Sequence, residues 1–342
     1  MPAYPVSKLK NVKDDVTLKD IAEAVGKSVA AVSRALNNHD DISEETREYI
    51  KRVAREMGYA STDTLGFILP TQSAKNSDPY YSELLAGITA EASQKGFDLL
   101  VSTCTGGLEE RWAYLRLINS QRVDGIIVAR PRWRDDRIEL LLEKQFPFVI
   151  IGTTNIQGNF LSISEDVSAS IQQVVEHLVQ QGHDHIALIN APLDLFFASE
   201  FLAGFRKAMR AAGLPVNEEY LEDCGFTQKD GYRIAQQLLS KPETPTAIIT
   251  ADDIVALGVM AAVQDQGLEV GSDVVVTGYG DILLAEYSQP PLTTVHRSTY
   301  MLGQHACQMM INQLRNEHVP NKNIVLEPSL VIRQSSDLAL WL

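Results

Sequence analysis

The sequence predicts an α/β protein in two parts: a small all-α N-terminal head, then a larger two-lobed body of parallel sheets covered by helices. Three observations predict it. The chain has 342 residues, enough for about two domains at roughly 150 residues each. Helical periodicity fills the first sixty residues, whereas β-branched runs alternate with amphipathic stretches in the rest. Charge is also divided: residues 1–60 hold ten Lys/Arg and ten Asp/Glu, and residues 61–342 hold twenty and thirty-four. The body therefore carries the whole net charge of −14, while a neutral head would not repel a polyanion.

The head reads as three short helices. Thr17 can cap the first, and TLKDIAEAVG places Leu18, Ile21, Ala22 and Val25 on one face until Gly26 ends it. Ser28 opens the second, SVAAVSRALN, with Val29, Val32 and Leu36 expected on its inner side. Ser43 opens the third, whose stripe is Ile50, Val53, Ala54 and Met57 before Gly58. Two short helices joined at a glycine turn and followed by a third make a helix-turn-helix pattern. Its second helix would present Ser28, Ala30, Ser33, Arg34 and Asn37. Arg reads guanine edges, Asn reads adenine, and hydroxyls suit phosphates. A helical hairpin with a solvated polar face is equally compatible with the spacing.

In the body, candidate strands are TLGFILP, FDLLVST, DGIIVAR, FVIIG, HIALIN, TAIIT and DVVVTGYG. Amphipathic stretches such as YYSELLAGITAEASQKG and VSASIQQVVEHLVQQGH lie between them. The first four strands fit one lobe and those from His185 onward fit another, with a ligand cleft between. A single long doubly wound sheet is the alternative.

Composition narrows the class. Hydrophobic residues at 45% and charged residues at 22% exclude disorder. No apolar run approaches the roughly 18 residues that span a bilayer, and the N-terminus shows no signal-peptide core, so a cytoplasmic protein without a membrane partner is expected. Cys104, Cys224 and Cys307 are scattered and form no metal or disulfide pattern. There is no G-x-S-x-G, Walker or H-E-x-x-H motif, so an enzyme is not expected, nor any cofactor. His183 and His185 in GHDH read as turn residues rather than metal ligands.

VTLKDIAEAVGKSVAAVSRALNNHDDISEETREYIKRVAREMGY resembles the head of the LacI/GalR (lactose-repressor) family through V-T-L-x-D-I-A, V-S-R-x-L-N, I-S-x-x-T-R and M-G-Y. The resemblance implies operator DNA as partner, with Val29, Ala30 and Arg34 at base-reading positions. It places Thr17, Leu18, Ser28, Ser33 and Asn37 against backbone or neighbouring bases. Val29 and Ala30 can only touch a thymine methyl, which leaves Arg34 most of the direct readout. The family's hinge, P-N-x-x-A-x-x-L, has no counterpart here: Met57-Gly58-Tyr59-Ala60 runs straight into STDTLGFILP. Because the match resumes cleanly on both sides, an omitted segment is expected rather than a different design.

The body resembles the same family, whose ligand domain is like periplasmic sugar-binding proteins, through VDGIIV, EHLVQQGHDHIALI, LAGFRKAM, TADDIVALGVM, GYGD and QPPLTTV. No heptad tail follows VIRQSSDLALWL, so the resemblance implies a homodimer. It also implies a small effector, a carbohydrate, between the lobes. Sugars need polar planar groups for hydroxyls and aromatic faces for the ring. Candidates are Asp78, Tyr80 and Tyr81 after the first strand, Arg130 at a strand's C-terminal edge, Asp166, Phe226, Asp252 and Arg297. Asp166 and Asp252 also sit where helix caps would.

Two positions depart from the family. Phe201 stands where the family has a sugar-gripping Arg, and Gly280, followed by Asp281, stands where it has Asp. With Phe196 and Phe197 nearby, the expectation is a roomier or more aromatic pocket for a disaccharide, with α-glucosides one option. The whole reads as a repressor of sugar-use genes. A non-sugar or protein effector is the alternative, and a periplasmic-type sugar carrier would not need the head.

Overall fold

A computed structural model describes residues 16, 18–36, 42–57, 62–70, 78–120, 122–315, 317–337 and 340. Two compact units divide the chain, Met1–Thr62 and Asp63–Leu342. The expectations for Thr17, Asn37 and the hinge junction at 58–61 lie outside the described residues.

Among its described residues the first unit has three helices, α1 (Leu18–Val25), α2 (Val29–Leu36) and α3 (Glu44–Glu56). Ile21, Ala22, Val32, Ala35, Ile50 and Ala54 form its core. Gly26 sits at φ +64° and ends α1, where an L side chain would be strained. Ser28 caps α2, its Oγ accepting from the Ala31 amide at 3.2 Å, and Ser43 caps α3 through the Thr46 amide at 3.4 Å. One inward assignment changes: Val29 is 44% exposed. It opens α2, and the helix buries positions 32 and 35, so residue 29 falls on the open side.

The body opens with β1 (Thr64–Pro70), α4 (Pro79–Lys95), β2 (Asp98–Cys104), α5 (Leu108–Asn119), β3 (Gly125–Ala129), α6 (Asp136–Glu143), β4 (Phe148–Ile151) and β5 (Leu161–Glu165). It continues through α7 (Val167–Gln180), β6 (Ile186–Asn190), α8 (Phe196–Ala211), β7 (Leu221–Asp223), α9 (Gln228–Leu239), β8 (Ala247–Thr250), α10 (Asp253–Asp265) and β9 (Val275–Gly280). Last come α11 (Leu283–Tyr287), β10 (Thr293–His296), α12 (Thr299–Leu314), β11 (Asn323–Leu326) and β12 (Ser329–Val331). None of the described helices is long and apolar enough to cross a membrane.

Among the described residues the strands form two six-stranded sheets, ordered β11-β5-β4-β3-β1-β2 and β12-β10-β9-β8-β6-β7. All pairs are parallel except β10 with β12. Buried strands such as GIIVA and FVII carry no polar side chain because helices cover both faces. Two lobes were expected, but their division is not by sequence order. The chain crosses between lobes after β5, after β10 and after β11, so α12 and β11 return to the first lobe. Close helix contact decides this. At Gly303 of α12 an added Cβ would lie 2.3 Å from the Leu84 carbonyl oxygen on α4, and at Gly87 of α4 it would lie 2.0 Å from the Tyr300 oxygen. Those two glycines let the backbones approach, and the pairing is long-range, so helical periodicity carries no sign of it.

Candidate functional site

On the head, Ser28, Val29 and Ala30 are exposed at the start of α2, and Ser33 and Arg34 are half-buried further along it. The Arg34 Nε donates to the Ala30 carbonyl at 3.3 Å, which lays the side chain back along its own helix. Leu18 is half-buried and packs on the head core, so it serves stability as well as any backbone contact. The helix thus offers two small apolar side chains, two hydroxyls and one guanidinium.

The body holds a cavity of about 620 Å³, counting space open to solvent, between its two sheets. The first lobe supplies Tyr80, Arg130, Pro131, Ile151 and Thr153; the second supplies Leu195, Phe197, Glu200, Phe226 and Asp252. Two crossovers complete the wall with Glu165, at the end of β5, and Arg297, just after β10.

Asp78 caps α4, its Oδ1 accepting from the Tyr80 amide at 3.0 Å. Its Oδ2 holds the Arg130 guanidinium at 2.5 Å. Arg130 follows β3 at φ +49°. Its guanidinium lies 4.5 Å from the centre of the Tyr80 ring, 4.9 Å from Tyr81 and 4.0 Å from Phe226 of the other lobe. Tyr81 therefore backs the arginine. A second pair joins the crossovers: Arg297 Nε donates to Glu165 Oε2 at 2.7 Å, and the Ser298 amide donates to Oε1 at 3.2 Å. Burial is the largest influence and works against the Arg297 charge, but Glu165 together with Tyr279 and Tyr80 outweighs it and holds its pKa above the usual value. The guanidinium also lies 4.9 Å from the Tyr80 ring and 5.2 Å from Tyr279. Across the cavity the Thr153 hydroxyl donates to Glu200, whose pKa is raised by burial against that bond.

This geometry has relatives. A model of bacterial regulatory proteins of the lacI family matches residues 17–61, and a periplasmic binding protein-like domain matches residues 175–336. The HTH-type transcriptional repressor PurR of Erwinia tasmaniensis is 30% identical over 332 residues, covering 93% of this chain and 96% of that one. The chain belongs to the LacI family. It is a DNA-binding transcriptional regulator, and its head is the family's helix-turn-helix domain. Among solved structures, a CelR–cellobiose complex has TM-score 0.76 at 28% identity, covering 94% of this chain and 100% of that chain. The lac repressor dimer bound to operator and the anti-inducer ONPF has TM-score 0.71 at 28% identity, covering 94% and 99%.

Within the LacI-family body, the sequence candidates Asp78, Tyr80, Tyr81, Arg130, Phe226, Asp252 and Arg297 converge on the cavity or on residues that touch it. Two do not. Phe201 is fully buried behind the wall, with ring centres 5.4 Å from both Phe197 and Tyr279. On α8 the positions facing the cavity are Phe197 and Glu200, while Ala198, Phe201 and Phe205 face the core. Asp166 is exposed and caps α7, accepting from the Ala169 amide at 2.9 Å; its neighbours Glu165 and Val167 line the cavity. Each lies one residue from a lining side chain, and one residue turns a side chain away on a helix or a strand. The motifs fix each segment but not the face it turns to the cavity, so nothing in the sequence singles out Glu165 and Glu200 as lining residues. Asp281, beside Gly280, is tied to Arg333 at 2.7 Å and His296 at 3.0 Å and adds nothing to the cavity wall. His183 bonds Thr246 at 3.0 Å. Among the described residues no three His, Cys, Asp or Glu groups gather as a metal site would need.

Asp252 combines two roles. Its Oδ1 caps α10 through the Ile254 amide at 2.8 Å, and it also faces the cavity. Burial, then the nearby Asp78 carboxylate, push its pKa up to about 7, against the pull of Arg130. The folded chain therefore keeps a proton on Asp252 at pH values where the unfolded chain has lost it. Stability falls as pH rises from the ordinary carboxylate pKa of about 4 to about 7, and the full cost stands above that. Asp252→Asn keeps a capping oxygen and removes the charge. Its melting temperature is expected to exceed the wild type's at pH 8 and to match it near pH 4. A difference independent of pH between those values would refute the assignment.

Proposed function

We propose that this LacI-family regulator is a repressor of sugar-use genes whose operator affinity is switched by a small neutral polyhydroxylated effector, a carbohydrate, held between the lobes. One observation carries the reading. Both arginines in the cavity are already neutralised by the chain itself, Arg130 by Asp78 and Arg297 by Glu165. A phosphate or carboxylate ligand would have to displace a carboxylate from its partner. Neutral hydroxyls can instead accept from the guanidiniums and donate to Glu200 and Asp252, while Tyr80, Phe197 and Phe226 offer faces to an apolar ring side. The CelR–cellobiose complex is a relative with a sugar bound, which supports the same class.

Ligand closes or opens the angle between lobes, and the heads gain or lose their spacing on operator DNA. Two heads need a homodimer. The body exposes apolar side chains suited to that: Val101, Leu108 and Trp112 on the first lobe, and Leu283, Leu284 and Tyr287 on the second.

Thermal shift against a panel of mono- and disaccharides tests the effector. A ligand at about 100 times its Kd adds roughly 2.7 kcal/mol, a clear rise in melting temperature. If no sugar raises it, the carbohydrate reading fails, and nucleosides or a protein partner become the next ligands to try.

A further inference from the structure

Besides the crossovers, the lobes meet at a second place that the family resemblance did not flag. The segment between β3 and α6 and the segment between β6 and α8 form a short antiparallel bridge centred on Arg132 and Leu195. The Trp133 amide donates to the Asp194 carbonyl at 3.0 Å, and the Phe196 amide donates to the Pro131 carbonyl at 2.9 Å. The Trp133 and Phe196 rings pack at 4.8 Å between centres. Pro131 and Leu195 of these same segments are part of the cavity wall. The wall cannot open there without breaking both bonds.

The first-lobe half is held from within. Arg132 Nη1 bonds the buried Glu110 at 2.6 Å, and its amide donates to the buried Asp135 at 2.9 Å. Its Nε lies 3.9 Å from Asp194 of the other lobe. Arg137, 3% exposed, bonds Asp135 at 2.6 Å and Glu110 at 3.2 Å, and donates to the Arg130 carbonyl at 2.9 Å. One buried network therefore sets both the Arg130 backbone and the bridge.

We propose that residues 131–133 and 194–196 form a latch that shuts the effector cavity, and that Arg132 is the positioning residue that couples it to the buried Glu110–Asp135–Arg137 network. This rests on the effector reading above. The latch holds the lobes together before ligand arrives, and ligand exchange waits on its opening.

Amide hydrogen exchange of the full-length protein, with no ligand added, tests it. The Trp133 and Phe196 amides are expected to be protected in the wild type. Arg132→Ala should speed both by about tenfold and leave the amides of β3 and β6 unchanged. Arg132→Lys, which keeps the charge beside Glu110, should restore part of the protection. If Arg132→Ala instead loosens the whole body, Phe196→Ala decides: it removes only the ring contact with Trp133 and should speed the amides of residues 133 and 196 together, with those of β3 and β6 unchanged. Fast exchange at both amides in the wild type, or no response to either substitution, overturns the latch. A stabilising sugar found together with freely exchanging latch amides would remove the latch and leave the effector reading intact. Protected, Arg132-sensitive amides with no stabilising sugar would remove the effector reading alone.

Discussion

Glu165→Ala is expected to destabilise the body by about 3–5 kcal/mol, the usual cost of stripping one partner from a buried ion pair. Glu165 has its side chain 3% exposed and Arg297 17%. Without the carboxylate, Arg297 keeps its charge among the Tyr80, Phe197 and Tyr279 rings, 4.9–5.7 Å away, and those faces offset only part of the lost pairing. The Ser298 amide loses its acceptor as well. The damage is local to the crossovers, since Glu165 ends β5 and Arg297 follows β10. Urea unfolding at pH 7 measures the change. Glu165→Ala combined with Arg297→Met removes the stranded charge and should recover a good part of the loss. A single-variant loss below about 1 kcal/mol would show the pair to be solvated. The same single variant should abolish the thermal shift given by any sugar that binds the wild type, because the freed guanidinium no longer sits where a hydroxyl needs it.

Arg34→Ala is the second large effect, and it lies on the head. Operator binding is expected to weaken by about 1–3 kcal/mol, roughly 5- to 150-fold, if the guanidinium makes a bidentate contact to a guanine. Val29 and Ala30 have no hydrogen-bonding side chain, and the single hydroxyls of Ser28 and Ser33 cannot replace a bidentate contact. Fluorescence anisotropy at fixed salt, with a duplex selected from a randomised pool, measures it. The thermal midpoint of the body should not move, because the head is a separate compact unit. Equal affinity of variant and wild type would remove Arg34 from direct readout.

Much of this was legible in the residues. The helix starts at Ser28 and Ser43 and the stop at Gly26 follow from local hydrogen bonding and backbone freedom, which nearby residues alone decide. The strands GIIVA and FVII, and IALIN up to its last residue Asn190, are readable because a strand buried on both faces is almost wholly apolar. Weaker strands such as LED and SLV, at the sheet edges, were not, because half-covered edges need no such pattern. Seven of the nine effector candidates lie at the cavity or against residues that line it, because each sits near the end of a strand or the start of a helix, where parallel sheets open clefts.

The sequence by itself determined the kind of elements, their order and the segments that reach the cavity, since these depend on residues a few positions apart. Tertiary structure decided which lobe each late element joins, through the contact of Gly87 and Gly303 between α4 and α12. It also decided which face of a segment looks into the cavity, so that Glu165 and Glu200 serve there rather than Asp166 and Phe201. And it paired Asp78 with Arg130 and Glu165 with Arg297, residues 52 and 132 positions apart. Those pairings set the charge a ligand meets. The second arises where the chain crosses between lobes and brings the ends of β5 and β10 together, the first from the pairing of β1 with β3 within one sheet, and no local pattern of residues encodes either.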